Sequence, residues 1–257
     1  MSNQAITKAP WVPNKFLVEK DVFVDGFLKP LSLFDLPDKC CRISYETDSI
    51  SGITYTNDRN CILHATYKNI KSDVFEPIVL RDINRLISAI SFVSEPQMIF
   101  TLNENYIEYD SSSIKFKSYY LDNNFFDSKI KQKLDKIREL EVNSTFHLSP
   151  IILSKIKKSK NFAKSTNKVY FYSDDSKVYV SRHDSQKNNI DVMSFLVSDD
   201  IYGKKFDEIP IHISIFDLIC DLNSSIVVEL NEEYGIVKFK LENDKSKLEY
   251  ITSTLRK

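Results

Sequence analysis

The sequence predicts an α+β fold in which one unit, a strand followed by a helix and three more strands, occurs four times. The pentapeptide LNENY at residues 102–106 returns as LNEEY at residues 230–234, each time after an apolar run and before a strand-like segment. The chain also holds 17 Phe and 13 Tyr, residue types that favour strands. With 257 residues and 42% hydrophobic content, it can bury the core of one large domain or of two ordinary ones.

The first unit is the least regular of the four. Residues 15–24 form a strand-like run, and residues 30–41 carry the apolar residues of a helix that Pro37 would interrupt. Proline inside a helix costs about 3 kcal/mol, so this helix is expected to be broken. Strands are then expected at residues 42–48, 52–58 and 61–69.

The second unit is clearer. Residues 76–80 form a short apolar strand, and residues 81–93 follow with an apolar stripe at helical spacing, made of Ile83, Leu86, Ile87, Ile90 and Val93. Strand-like runs then occupy residues 97–102, 106–110 and 114–121. After them comes a charged connector, in which Ile130, Leu134 and Ile137 at i, i+4 and i+7 predict a short amphipathic helix.

The third and fourth units repeat the pattern. Residues 144–149 predict a strand and residues 150–166 a helix with Pro150 in its first turn, where proline is favoured. Strands are expected at residues 168–174, 177–185 and 189–197. The fourth unit predicts a strand at 208–214, a helix at 214–223, and strands at residues 225–230, 235–241 and 247–255. Agreement of five elements in order makes a duplicated unit the better interpretation.

Composition argues against an enzyme. Only four glycines occur, and no phosphate-binding glycine motif is present. Metal-ligand spacing is absent among the cysteines, which are expected to be reduced thiols (Cys40, Cys41, Cys61, Cys220), and among the histidines (His64, His147, His183, His212). We therefore expect no catalytic residue, no metal and no cofactor.

The location and charge of the protein are also bounded by its sequence. No run approaches the ~20 apolar residues of a membrane span, and the N-terminal residues lack the apolar core of a signal peptide. We expect a cytoplasmic protein without membrane partners, in a host cytoplasm if the source is viral. The net charge is −1, so any nucleic-acid contact must come from local clustering of basic residues.

Four such units in two halves, joined by a charged connector, resemble a DNA sliding clamp, specifically the phage processivity clamps of the T-even type. The residues that carry the resemblance are IVLRDINRLISAISFV with QMIFTLNENYIEYDSSSIKFKSYYL, and the closing EYGIVKFKLENDKSKLEYITSTL. The resemblance implies a homotrimeric ring that encircles duplex DNA without sequence preference, with helices lining the hole and sheets outside. It also implies two protein partners, a clamp loader and a DNA polymerase.

The resemblance divides the chain into four segments. Residues 1–14, with Trp11, are expected as a flexible N-terminal extension, 15–122 as clamp domain 1, 123–142 as an interdomain connector and 143–257 as clamp domain 2. Within this frame, the last strand of domain 1 pairs with the fourth strand of domain 2 in the next subunit. These strands, at residues 114–121 and 191–197, look like edge strands and would bring together Phe116, Tyr119, Met193, Phe195 and Val197.

The helix at 150–166 gives a test of the DNA role that depends on its residues alone. Its exposed face carries several lysines and no acid, whereas a solvated helix normally mixes signs. The expected DNA-facing residues of this helix and of the 81–93 helix are Arg81, Arg85, Lys155, Lys157, Lys158, Lys160 and Lys164. The 214–223 helix departs from the pattern, because its exposed face carries Asp217 and Asp221 with no cation.

A partner pocket and two other functions complete the expectations. Sliding-clamp partners insert an apolar peptide beside the connector, which suggests a pocket at Phe125, Phe126, Tyr250 and Ile251, although core packing is an alternative role for each. The chain could instead be a processivity factor that binds DNA without closing a ring. It could also be a phage structural or adaptor protein with no DNA role.

Overall fold

The computed structural model describes residues 14–34, 36, 40–46, 48–70, 76–163, 166–183, 191–219 and 225–255. Several expectations lie outside these residues: the N-terminal extension up to residue 13 with Trp11, the helix break at Pro37, and the positions of Lys164, Cys220 and Asp221.

The first unit has the expected order of elements but a different helix. β1 (Asn14–Glu19) runs directly into α1 (Lys20–Phe23), a π-helical turn (Val24–Leu28) and α2 (Lys29–Ser32), which form one continuous helical segment. The expected strand to residue 24 and helix at 30–41 were therefore wrong. Phe23, Phe27 and Leu31 recur every four residues and are all buried, so burial of this stripe outweighs the strand preference of Val22 and Val24. Three strands follow, β2 (Cys41–Glu46), β3 (Ser49–Tyr55) and β4 (Cys61–Lys68).

The second unit and the connector confirm their predictions. The unit comprises β5 (Ile78–Leu80), α3 (Ile83–Ser91), β6 (Gln97–Leu102), β7 (Tyr106–Asp110) and β8 (Lys115–Leu121). The connector forms a 3-10 turn (Asn123–Phe125) and the amphipathic helix α4 (Lys129–Arg138), in which Ile130, Leu134 and Ile137 are all buried. The N-terminus of α3 is capped by Asp82, whose Oδ1 accepts the N–H of Arg85 at 3.1 Å.

The third and fourth units are likewise present. The third comprises β9 (Ser144–Leu148), α5 (Pro150–Lys158) with a final 3-10 turn (Ser159–Asn161), β10 (Lys168–Asp174), β11 (Lys177–Arg182) and β12 (Met193–Ser198). The fourth follows the short extra strand β13 (Tyr202–Gly203) and comprises β14 (Ile209–His212), α6 (Ile215–Leu218), β15 (Ile226–Asn231), β16 (Ile236–Glu242) and β17 (Ser246–Ser253). The LNENY and LNEEY segments form the β6–β7 and β15–β16 turns, so they are one hairpin in two copies.

The strands form two antiparallel sheets. The larger has the order β1-β6-β7-β8-β5-β2-β3-β4-β17-β16-β15-β9-β13, and the smaller the order β12-β11-β10-β14. The two halves of the chain are joined where β4 pairs with β17, from Tyr67 opposite Ser246 to Cys61 opposite Thr252. We call this junction the internal seam.

The two faces of the larger sheet are covered differently. The main core lies on one face and takes in apolar residues from all the helices except α4. A smaller cluster lies on the opposite face and holds the three buried residues of α4. At the internal seam, Tyr250 belongs to the main core and Ile251 to the smaller cluster, because successive residues of a strand point to opposite faces.

Candidate nucleic-acid interface and subunit seam

Basic residues on the helix side are concentrated on α3 and α5. Arg81 and Arg85 are exposed at the start of α3, and Lys155 and Lys158 are exposed along α5. In the first helical segment, by contrast, Asp21 is exposed and Lys29 is held by Asp25 at 2.5 Å. The positive charge is thus carried by two of the four helical segments on this side.

Two of the lysines expected to face DNA, Lys157 on α5 and Lys160 on its final 3-10 turn, have partners within the chain. Lys157 Nζ donates to the carbonyl of Ile219 at 3.1 Å, and Lys160 forms an ion pair with Asp217 on α6. The helix α6 carries Asp217 and no cation of its own, as its sequence indicates, but the turn after α5 supplies Lys160 as a partner for this acid. These two lysines hold α5 against α6, which leaves Lys155 and Lys158 as the free basic residues among the described lysines of this helix.

Each basic helix lies beside an exposed strand edge. A groove of about 620 Å³ separates α3 from β8 and is lined by Arg81, Arg85, Phe116 and Ser118 among others. Along the edge that faces away from β7, β8 pairs with β5 only at Tyr120 and Leu121. The stretch from Lys115 to Tyr119 therefore presents backbone groups without a strand partner on that side, among the described residues.

The second exposed edge belongs to β12. This strand is the outermost strand of the smaller sheet, and a groove of about 360 Å³ separates it from α5. The groove is lined by Lys155, Lys158, Ser159, Phe162, Met193, Ser194 and Phe195. Val197 is already buried within the chain, whereas Met193 and Phe195 are half-buried. Both strands expected at a subunit interface are thus edges, each with a basic helix next to it.

The face of the larger sheet that α4 covers, opposite the main core, is called the outer face here. A cluster of charged residues holds α4 against this face at the internal seam. Glu249 on β17 and His64 on β4 lie directly opposite each other. Arg138 at the end of α4 contacts both, with Nη2 3.0 Å from Glu249 Oε2 and 2.7 Å from His64 Nδ1. His64 Nε2 in turn lies 3.9 Å from Glu46 Oε1 on β2. The connector is therefore held by an ion pair as well as by its apolar stripe.

This cluster shifts the titration of both carboxyl groups. The imidazole of His64 lowers the pKa of Glu46 from 4.5 to about 2, despite partial burial. Burial would raise the pKa of Glu249, but the charge and hydrogen bonds of Arg138 outweigh it, so the pKa is lowered. A lowered pKa means that the folded chain holds its protons less tightly than the unfolded chain does.

We expect the stability contributed by these carboxylates to be present above pH 4.5 and to be lost as the pH falls toward 2. Arg138→Met should lower the free energy of unfolding at neutral pH on the order of 2 kcal/mol, since Glu249 would stay buried without its cation while solvent partly screens Arg138. The free energy of unfolding of this variant should also change less with pH below 4.5 than that of the wild type. Urea unfolding of both proteins at several pH values measures this. If the free energy of unfolding of Arg138→Met changed with pH as that of the wild type does, the pairing of Arg138 with Glu249 would be contradicted.

The four residues expected at a partner pocket do not form one site. Phe125 is exposed on the 3-10 turn, and Phe126 and Ile251 are buried in the cluster beneath α4, with Phe126 packed against Tyr55 at 5.3 Å. Tyr250 lies in the main core on the opposite face, stacked on Phe34. For Phe126, Tyr250 and Ile251 the alternative of core packing therefore describes the structure.

A different groove lies beside the connector. It has a volume of about 630 Å³ between α4 and the β15–β16 turn, with an apolar floor formed by Ile137, Leu140, Tyr234 and Ile236. Its rim carries Lys129, Lys133 and Lys136. Sequence analysis missed this groove, although Tyr234 belongs to the LNEEY segment, because the turn and α4 meet only in the folded chain.

The described part of the chain contains no group of three or more His, Cys, Asp or Glu residues placed to hold a metal ion. None of the helices in the described ranges combines the length and apolar character that crossing a membrane requires.

Solved structures with the same architecture are sliding clamps. A. fulgidus PCNA, solved with the C-terminal region of FEN-1, is 13% identical over 95% of this chain and 99% of its own, with a TM-score of 0.72. The DNA polymerase III beta chain of Streptococcus pneumoniae is 11% identical over 99% of this chain and 68% of its own, with a TM-score of 0.75. PCNA from Entamoeba histolytica is 11% identical over 95% and 99%, with a TM-score of 0.68.

These likenesses establish the fold: the chain has the sliding-clamp fold expected from its four repeated units. No protein-family model matches the sequence. No curated protein matches it either.

Proposed function

We propose that this protein is a sliding clamp, three copies of which close into a ring around duplex DNA and tether a DNA polymerase. The observation that carries the proposal is the pair of strand edges, residues 115–119 of β8 and the outermost strand β12, that lack a strand partner among the described residues and lie beside a basic helix. The fold likeness supports it, and the number three rests on the resemblance to ring clamps of similar chain length. An origin in a T-even-type phage remains a prediction from the sequence.

The internal seam supplies a template for the contact between subunits. In the repeated units, β8 corresponds to β17 and β12 corresponds to β4. The hairpins align through their pairs: Leu102 opposite Ile107 matches Leu230 opposite Val237, so Lys117 matches Ile251, and Ser181 opposite Ser194 matches Ile53 opposite His64. Because Ile251 faces Ile62 at the internal seam, Lys117 should face Val192 across the subunit seam.

This register agrees with the sidedness of both strands. It places Phe116 opposite Met193, as Tyr250 lies opposite Leu63, and both residues are half-buried toward the helices. It places Lys117 opposite Val192 on the outer side, where both are exposed. A shift by one residue would set inward residues against outward ones, so the pleat permits the proposed register. Head-to-tail contacts of this kind close into rings when the rotation fits.

The same arrangement determines where DNA is contacted. The helix α3 of one subunit and α5 of the next would flank each subunit seam on the inner side, bringing Arg81 and Arg85 close to Lys155 and Lys158. Each seam would then carry a basic patch, while the inner side of each internal seam would not. Such patches hold the phosphate backbone without reading sequence.

The polymerase would dock at the groove between α4 and the β15–β16 turn. The groove is apolar at its floor and basic at its rim, which suits a short peptide with large apolar side chains and nearby acids. A clamp loader is the other partner implied by a closed ring.

A paired cysteine substitution tests the ring and its register together. Lys117→Cys with Val192→Cys in one chain should give covalent trimers on oxidation, because directly opposed residues bring their Cβ atoms to about 4.5–5.5 Å. Lys117→Cys with Ser194→Cys is the matched control, displaced by two residues along the strand, and should crosslink much less. Equal crosslinking of the two variants would refute the register.

The crosslinked ring also tests the DNA role. Oxidised in the presence of a nicked circular plasmid, it should stay on the plasmid in about 1 M salt, where charge contacts are screened within ~3 Å, and should leave once the plasmid is cut. A monomer that binds DNA would support the non-ring processivity factor. A protein that never associates with DNA would support the structural or adaptor alternative.

A further inference from the structure

An aromatic pair closes the internal seam on the side of the main core. Phe34 follows α2 in the first half of the chain, and Tyr250 lies on β17 in the second half. Their ring centroids are 6.4 Å apart, the rings are nearly parallel, and both side chains are buried. At this junction, therefore, the residue that follows a helix packs against the strand that comes from the other half.

Phe162 holds the corresponding position in the third unit. Phe34 lies eight residues before Arg42 on β2, and Phe162 lies eight residues before Tyr170 on β10. Arg42 and Tyr170 are equivalent, because each lies four residues before the end of its strand, where two residues turn the chain into the next strand. Phe162 is 46% exposed, however, whereas Phe34 is 1% exposed. Among the described residues of one chain, Phe162 thus lacks the cover that Tyr250 gives Phe34.

The strand beside Phe162 is the one that faces the next subunit. Phe162 and Met193 line the same groove between α5 and β12. In the proposed register, Met193 lies opposite Phe116 of the next subunit, and Phe116 matches Tyr250 in the repeated units. The aromatic partner of Phe34 therefore has an aromatic counterpart at the subunit seam, on the strand that would approach Phe162.

The next subunit also offers room for the ring. The groove of about 620 Å³ between α3 and β8 is lined by Leu86, Ala89 and Phe116 among others. A cavity of ~150 Å³ is enough to hold a benzene ring, so a phenyl ring fits this groove with space left over. Because the proposed seam also brings basic side chains of both subunits together, it needs apolar contacts of this kind.

We propose that Phe162 anchors the subunit seam by inserting its ring between α3 and β8 of the next subunit, against Phe116. The occupant of that groove is thus a second copy of this chain. This inference rests on the proposed ring, and it adds an aromatic contact on the helix side to the pairing of β8 with β12. Aromatic residues that fill a pocket of the partner often dominate the binding energy of an interface.

Truncation of the side chain measures its contribution to assembly. Phe162→Ala should raise the concentration at which half of the trimer dissociates at least ~10-fold, measured by light scattering of the full-length protein across a dilution series. Phe92→Ala is the matched control, because Phe92 ends α3, is 76% exposed and is not among the residues that line the groove. Its trimer should dissociate at the wild-type concentration, and circular dichroism checks that both variants are folded.

Fluorescence reports the burial of position 162 separately from the stability of the trimer. Phe162→Trp in a Trp11→Phe background contains one indole, because the chain has a single tryptophan. Its emission should shift to shorter wavelength as the protein assembles, since the indole would leave water and enter the groove. The emission of Phe92→Trp in the same background should be equal in the monomer and the trimer.

The possible results distinguish this inference from the ring itself. If the wild type is trimeric but Phe162→Ala dissociates at the same concentration, or the introduced indole shows no shift on assembly, the anchor is overturned and the ring stands. If Phe162→Ala does not fold, the emission of the tryptophan variant decides alone. A wild-type protein that is monomeric at every concentration would overturn the ring and the anchor together.

Discussion

Phe195→Pro is expected to yield folded monomers that no longer stay on circular DNA. Proline removes a backbone donor and is tolerated poorly where a strand pairs on both sides. Phe195 lies in the middle of β12, an edge strand within one chain, and the proposed seam makes this strand internal to a continuous sheet. Ser118→Pro in β8 should have the same effect from the other side of the seam.

Light scattering measures the mass of each variant, and circular dichroism checks that the fold is retained. Ser194→Ala is the matched control, because it changes the neighbouring residue of β12 and leaves every backbone donor in place. Its mass should equal that of the wild type. Proline variants that are folded and still trimeric would exclude β8 and β12 from the interface.

Arg81→Glu with Arg85→Glu is expected to weaken DNA retention while strengthening the trimer. In the proposed ring these two residues face Lys155 and Lys158 of the next subunit, so the wild-type seam brings like charges together. Reversing one side converts repulsion into attraction and removes phosphate contacts at the same time. Loss of several phosphate contacts in each ring lowers DNA affinity by at least ~10-fold at moderate salt.

The trimer dissociation constant and the DNA retention are measured on the same preparations. Lys131→Glu with Lys177→Glu makes the same change in net charge away from the seam, and should alter neither quantity much. If the α3 double variant lost DNA retention and trimer stability together, the residues would be needed for assembly and the assignment to DNA would lose its support. Unchanged retention in an intact trimer would remove them from the DNA path.

Local patterns were sufficient to predict most elements of this fold. The stripes of α3 and α4 recur at helical spacing with few competing signals, so both helices were predicted from sequence. The first helix was misplaced because Val22, Phe23 and Val24 favour a strand locally, and only burial against the sheet makes this segment helical. The prediction for this segment rested on local strand propensity, whereas the segment is helical because its apolar stripe packs against the sheet.

The site depended on contacts between distant segments, which the sequence does not display. Lys157 and Lys160 have the same local setting as Lys155 and Lys158, and only the position of α6 separates the two pairs. The meeting of Arg138, His64 and Glu249 likewise depends on the register between β4 and β17. The edge character of β8 and β12, in contrast, followed from the order of the repeated units.

The mass of the unmodified protein in solution tests the central claim most directly. Light scattering across a dilution series should give about three times the 29.9 kDa of one chain at high concentration, with dissociation on dilution. A mass of one chain at every concentration would contradict the ring and, with it, the proposed subunit seam.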